Sequence, residues 1–169
     1  EKPPSYTAAQ AEEMARAAEN ARRLVQTGFN YRYTLGIQKA RERVESGCFA
    51  TPGTIAVRWW LGVSDPLEFM HHYIVHAADL LNYLTPGELG DMHIAHQRCD
   101  AFDYYLATFR AENGCIAVLE ASANMALSSH WCRVDWMSKD GILSVRDFTE
   151  VTHYGTERRG KYADPDSPP

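Results

Sequence analysis

Asn113-Gly114 divides two β-prone runs, residues 104–111 (YYLATFRA) and 115–125 (CIAVLEASANM), and Asp140-Gly141 divides two more, 134–138 and 142–146. Asn and Asp tolerate positive φ and Gly adopts it freely, so each dipeptide predicts a tight type I′ turn that folds its flanking strands back on each other. A chain with two such turns in its second half is committed to antiparallel pairing there. Residues 54–61 add a strand of period two, with Ile55, Val57, Trp59 and Leu61 on one face and Ala56, Arg58 and Trp60 on the other.

Upstream, the hydrophobic period changes to that of a helix. Thr7 with Gln10 reads as a capping box opening an alanine-rich helix to about Leu24. Its face of Ala11, Met14, Ala15, Ala18 and Ala21 suits close packing against a sheet. Residues 24–33 (LVQTGFNYRY) predict a short strand, with Gly28 where the backbone needs freedom or close approach. A second helix is expected over 35–46, with Ile37, Ala40 and Val44 inward and Gly47 as its stop. A third is expected over 73–84, ended by Thr85-Pro86-Gly87. Isolated helices followed by meander strands predict an α+β fold: a mostly antiparallel sheet with helices packed on one face. The tail 163–169 (ADPDSPP) is expected to be disordered.

Composition narrows the function classes. A chain of 169 residues, 45% hydrophobic and 23% charged, is long enough for one domain with a proper core. A net charge of −5 without a Lys/Arg cluster argues against nucleic acid, whose binders release counterions through clustered cations. Cys48, Cys99, Cys115 and Cys132 are widely spaced with no C-x-x-C, so free thiols in a reducing, cytoplasmic setting are expected. No apolar run approaches the ~20 residues needed to span a bilayer, so no membrane association is expected. The chain starts at Glu1 rather than Met, which leaves room for a trimmed N-terminus or upstream residues.

Four segments stand in a telling order: Glu1-Lys2-Pro3, Gly28-Phe29-Asn30-Tyr31-Arg32-Tyr33, a helix ending at Ser46-Gly47, and His76-Ala77-Ala78-Asp79-Leu80-Leu81-Asn82-Tyr83-Leu84. Over about residues 1–146 their order and spacing resemble the Gfo/Idh/MocA family of NAD(P)-dependent oxidoreductases. The resemblance implies that 1–34 is the end of a Rossmann-type nucleotide-binding domain, its last helix and strand. It implies that 35–162 is an α+β substrate and oligomerisation domain. Oxidising a secondary carbinol requires a base within hydrogen-bond reach of its hydroxyl and a cation to stabilise the developing alkoxide. By resemblance, His76 is the acid/base, Lys2 is the ammonium that reaches both nicotinamide and hydroxyl, and Asn30, Arg32 and His72 lie on the substrate side. For Arg32 a structural ion pair is the preferred alternative.

The sequence departs from the family at one telling place. Where Asp-x-Gly-x-His is usual, this chain has His72-Tyr73-Ile74-Val75-His76, so an imidazole replaces the carboxylate that would raise and orient the catalytic histidine. His72 and His76, one turn apart with His71 adjacent, could chelate a metal with His93, His96 or Asp79, but without an H-E-x-x-H glutamate pocket or core histidines are preferred and no metal is expected. Tyr31, Tyr33, Trp59, Trp60, Tyr73, Trp131 and Trp136 could include a platform for a sugar ring, with sheet packing as the main role.

Gly-x-Gly-x-x-Gly has no match anywhere in the chain. NAD or NADP is therefore expected in the complete enzyme but not on this chain alone. The expected partners are a small-molecule substrate (a sugar, cyclitol or related polyol), a missing nucleotide-binding half, and a second copy joined through the sheet. The alternative is a stand-alone non-redox domain: a lyase, isomerase or cyclase using His72 and His76, or a ligand-binding or oligomerisation module.

Overall fold

The computed structural model describes residues 1–62, 65, 68–99, 102–125, 127 and 131–155, and the backbone of 159–162. The tail 163–169 lies outside the described residues. The fold class is the expected one. Eight strands form a single sheet: β1 (Thr54–Trp60), β2 (Leu89–Cys99), β3 (Phe102–Ala111), β4 (Ile116–Ala123), β5 (Trp131–Ser138), β6 (Gly141–Arg146), β7 (Glu150–Tyr154) and β8 (Arg159–Tyr162). Their order is β2-β3-β4-β1-β5-β6-β7-β8. β1 runs parallel to β4 and antiparallel to β5, and every other neighbouring pair is antiparallel.

β1 occupies the middle because its apolar face needs cover along its whole length: Ile55, Val57 and Trp59 are buried there, and Val134 and Val145 extend the same surface across β5 and β6. Two helices cover this face. α2 (Leu35–Glu45) packs over β6 and β7, and α3 (Val75–Leu84) packs over β1 and β4. Gly36 permits the first contact: its N–H donates to the Phe148 carbonyl at 2.9 Å, and a Cβ at this position would overlap that carbonyl. The other face, carrying Arg58, Trp60, Tyr104, Glu120, Trp131 and Arg133, is turned away from both helices.

Immediately before α3 the chain forms a π turn, Phe69–Ile74, in place of the regular helix start expected near residue 73. The sequence carries no proline or glycine there to mark the change of winding.

Three expectations are corrected. The first helix forms as α1 (Ala8–Ala21), its Thr7 hydroxyl accepting from the Gln10 N–H at 3.2 Å and the Gln10 side chain accepting from the Tyr6 N–H at 3.1 Å. None of its residues is buried, however, so its small-residue face does not pack on the sheet. That face lines an open groove with Leu24 and Val25 of the following segment. Second, residues 24–29 form no strand and Asn30–Tyr33 is a 3-10 turn, because none of the eight strands lies beside this segment to complete a ladder. Third, both hairpins form but neither turn is type I′. Only Gly114 and Gly141 of the two dipeptides have positive φ (85° and 111°), and at the first hairpin Ala111 N–H to Cys115 O and Gly114 N–H to Ala111 O close a three-residue loop with the glycine at its bulge.

β2, β7 and β8 had no sequence expectation. β2 mixes polar and apolar residues on both faces, Met92 and Ile94 among them, and all but its first residue are exposed. It is an edge strand held by its ladder to β3 and by His96 against the buried Asp103 carboxylate at 3.0 Å.

Candidate functional site

The chain start, the 3-10 turn, the π turn and α3 converge on one corner of the helix-covered face. Gly28 passes close to the Glu1 backbone, which brings Lys2 beside the turn that carries Phe29 to Tyr33. Lys2 then reaches across to the π turn: its Nζ donates to the His72 carbonyl oxygen at 2.6 Å and lies 3.4 Å from His72 Nδ1, with the Tyr73 ring centroid 5.9 Å away. His76 follows one turn later, on α3. The structure therefore brings Lys2, His72 and His76 together from opposite ends of a 70-residue separation.

His76 sits in an aromatic box. Tyr31 meets its ring edge-on at 4.6 Å and Phe29 at 5.9 Å, while Trp59 lies parallel to it at 6.1 Å. Phe148, from the β6–β7 turn, stacks on Tyr31 at 4.3 Å and closes the far side. His76 is 5% exposed, and its Nδ1 is buried without a hydrogen-bond partner. Burial pushes its pKa down to about 4; Lys2 acts in the same direction and Asp79 opposes it. The ring is therefore neutral at pH 7, with a nitrogen available to accept or donate one bond. Burial also raises the Tyr31 hydroxyl, with Cys132 and Tyr73 adding to the effect.

Arg32 and Asp79 form the floor of the corner. Arg32 Nε donates to Asp79 Oδ2 at 2.7 Å and Nη2 donates to Oδ1, a bidentate pair tying the 3-10 turn to α3. The guanidinium also covers the Tyr83 ring at 4.8 Å. Arg32 is thus engaged as an ion-pair residue. Asn30 is exposed on the 3-10 turn, and His72 is exposed on the π turn.

The other histidines go elsewhere. His71 meets the Tyr6 ring and His96 stacks on Tyr105 beside Asp103, and among the described residues no three His, Cys, Asp or Glu side chains are grouped to hold a metal ion. The aromatic set divides as well: Tyr31 and Trp59 line the box, Trp136 is core, and Trp60 stacks on Trp131 at 4.4 Å on the opposite face of the sheet. Phe29 and Phe148 were not anticipated as site residues. Phe148 is reached through a turn in which it and Asp147 both have positive φ, which Asp147 tolerates but nothing about Phe148 signals. Among the described residues no helix is long and apolar enough to cross a membrane.

Comparisons place this architecture among known folds. No family model matches the sequence, and no curated protein matches it. A dehydrogenase from Chromobacterium violaceum superposes with a TM-score of 0.85 at 20% identity, over 94% of this chain and 49% of that one. Levoglucosan dehydrogenase, solved with NADH and L-sorbose, matches with a TM-score of 0.77 at 18% identity, over 89% of this chain and 48% of that one. UDP-N-acetylglucosamine 3-dehydrogenase from Acidithiobacillus ferrooxidans matches with a TM-score of 0.70 at 20% identity, over 94% and 55%. The chain spans about half the length of each of these structures, and its fold is that of the half it spans.

Proposed function

We propose that this chain is the substrate-side portion of a Gfo/Idh/MocA-type NAD(P)-dependent oxidoreductase that oxidises a secondary hydroxyl of a sugar, cyclitol or related polyol. The observation that carries the reading is the meeting of Lys2 with the His72–His76 turn, on a fold shared with dehydrogenases. In this reading residues 1–34 end a nucleotide-binding domain, 35–162 form the substrate domain, and the setting is cytoplasmic.

The residues fit the reacting end of such a site. The orphaned Nδ1 of His76 offers one buried hydrogen-bonding atom, and Lys2 offers an ammonium to a developing alkoxide. A bound nicotinamide would supply the hydride acceptor. His76 takes the hydroxyl proton, directly or through one water, as the carbon–hydrogen bond breaks and the carbonyl forms. Arg32 and Asp79 hold the 3-10 turn against α3, and the aromatic box limits water around the imidazole. Asn30 and His72, both exposed at the rim, are the polar side chains for substrate; Lys2 is the residue of this chain that would contact the cofactor. The chain has no Gly-rich turn to give the pyrophosphate a cluster of amides, so that contact belongs to a separate half.

A second copy is the proposed partner on the open face of the sheet. Half-buried Leu106, Val118 and Met137 lie there with the Trp60–Trp131 stack, around a neutralised centre in which Arg58 bridges Glu120 (2.9 Å) and Asp135 (2.5 Å) and Arg133 also holds Asp135 (2.9 Å). The low affinity of His76 for protons makes it a weak base, and this favours, within the alternative reading, a ligand-binding module over a lyase, isomerase or cyclase that would use His76.

The test is to titrate NAD(H) and NADP(H) against this chain and against any longer product of its gene. Binding is expected only when a Gly-rich segment is present; submillimolar binding by this chain alone overturns the assignment of the cofactor contact to a separate half, and a gene with no such segment removes the dehydrogenase reading. In a longer product that turns over, His76→Ala and Lys2→Ala should each lower kcat by ~100-fold or more.

A further inference from the structure

The π turn Phe69–Ile74 holds the first of the two histidines, and Lys2 is bonded to that histidine's main chain more closely than to its ring. A turn closed at i+5 is wider than an α turn, and where it passes into a regular helix the carbonyls leave the α register. Here that junction falls between Ile74 and Val75, two residues beyond His72. The His72 carbonyl takes the Lys2 ammonium at 2.6 Å, a short charge-assisted bond, whereas ring Nδ1 stands at 3.4 Å.

We propose that the widened turn serves to present the His72 peptide carbonyl as the anchor for Lys2, so that the main chain, and not the His72 imidazole, positions the ammonium beside His76. This deepens the reading above and rests on it only for the role of the ammonium. The position of Lys2 itself can be read without any reaction.

The consequence for residue roles is specific. A side-chain anchor titrates and can be lost by one substitution; a peptide oxygen does neither. His72 is therefore a positioning residue through its backbone, and its imidazole, exposed at the rim, makes only the longer 3.4 Å contact with the ammonium. The charged groups acting on His76 are Lys2 from the chain start and Asp79, paired with Arg32, on α3 itself; Tyr31 from the 3-10 turn faces its ring, with Tyr73 and Cys132 acting on Tyr31, and Trp59 and Phe29 contribute neutral rings. Of these, Lys2 is the cation whose position the proposal concerns.

His76 is the reporter, because Lys2 helps keep its imidazole neutral. Its titration, followed by imidazole nitrogen NMR on the full chain, should lie near pH 4 in the parent, in keeping with its lowered pKa. In Lys2→Met it should move up by part of that depression, because burial, the larger cause, remains when the cation is gone. In His72→Ala it should stay where it is in the parent, and the ammonium nitrogen signal of Lys2 should remain protected from exchange. Deleting Met70, an exposed residue of the π turn, should move the titration up as Lys2→Met does and abolish that protection. A His72→Ala protein that behaves like Lys2→Met overturns the proposal, since the ring would then be the anchor. So does a folded Met70 deletion with Lys2 still protected. If the deletion fails to fold, the His72→Ala and Lys2→Met pair still decides between carbonyl and ring. A failed search for dehydrogenase activity touches none of these outcomes.

Discussion

α1 and α3 are both amphipathic helices with alanines and larger apolar residues at helical intervals, yet α3 buries six of its ten residues and α1 buries none of its fourteen. The difference lies in what stands opposite. α3 faces the side chains of β1 and β4, which fill the space between its own, so Ala77 and Leu80 lose all contact with water. α1 faces a loop segment whose Leu24 is fully exposed and whose Val25 is half exposed. The same periodic pattern is thus a core face in one helix and a surface in the other, and periodicity alone does not distinguish them.

The contrast can be tested by substitution on each side. The largest effect is expected in the sheet: Trp136→Ala removes a side chain that is 1% exposed and should cost 3–5 kcal/mol, about the range for emptying a large aromatic site. Denaturant titration checks this, and a loss under ~1 kcal/mol would mean that the sheet is no better packed than α1. Next comes Arg32→Ala, which leaves the Asp79 carboxylate buried at 5% side-chain exposure without its cation; about 3 kcal/mol should be lost by the same measurement.

Acidification should act on the α3 side through His76. Its imidazole is neutral in the fold with a pKa near 4 and ordinary when unfolded, so the unfolded chain binds the extra proton between these values. Stability from this group is complete above pH ~6.5 and falls as pH drops toward 4, by roughly 2–4 kcal/mol. Comparing unfolding at pH 7 and pH 5 should reveal the slope, and His76→Phe should reduce it; an unchanged slope means that His76 is hydrated in the fold. The smallest effect belongs to the α1 side. Leu24→Ala should change stability by no more than ~0.5 kcal/mol. A larger loss would show that this segment is packed in solution, and would remove the contrast between the two regions.

The fold class was legible because its signals are local and redundant. The period-two run of β1 survives reading in isolation, and two glycine-bearing turns separate antiparallel partners. The turn type was not legible, because Asn113 and Asp140 tolerate either sign of φ and only the ladder register selects one. β2 was missed since a strand exposed on both faces has no hydrophobic alternation. In the candidate site, Lys2, His72 and His76 were pointed to by the family resemblance, and the ion-pair role preferred for Arg32 is the one its contacts with Asp79 show. What could not be read is how they meet: the π turn, the carbonyl under Lys2, and Phe148 arriving through a left-handed turn all depend on backbone geometry that residue types do not encode.

The place of β1 has a consequence for assembly in time. Its two neighbours in the sheet are supplied by later parts of the chain, with Arg58 meeting Glu120 across 62 residues and Asp135 across 77. The hairpins β3–β4 and β5–β6 can close locally, but β1 gains its ladders only after both have been brought to it, at the cost of closing two long loops. The strand that carries Trp59 to the aromatic box around His76 is then among the last to lock. Folding kinetics should therefore show hairpin amides protected from exchange before those of residues 54–60.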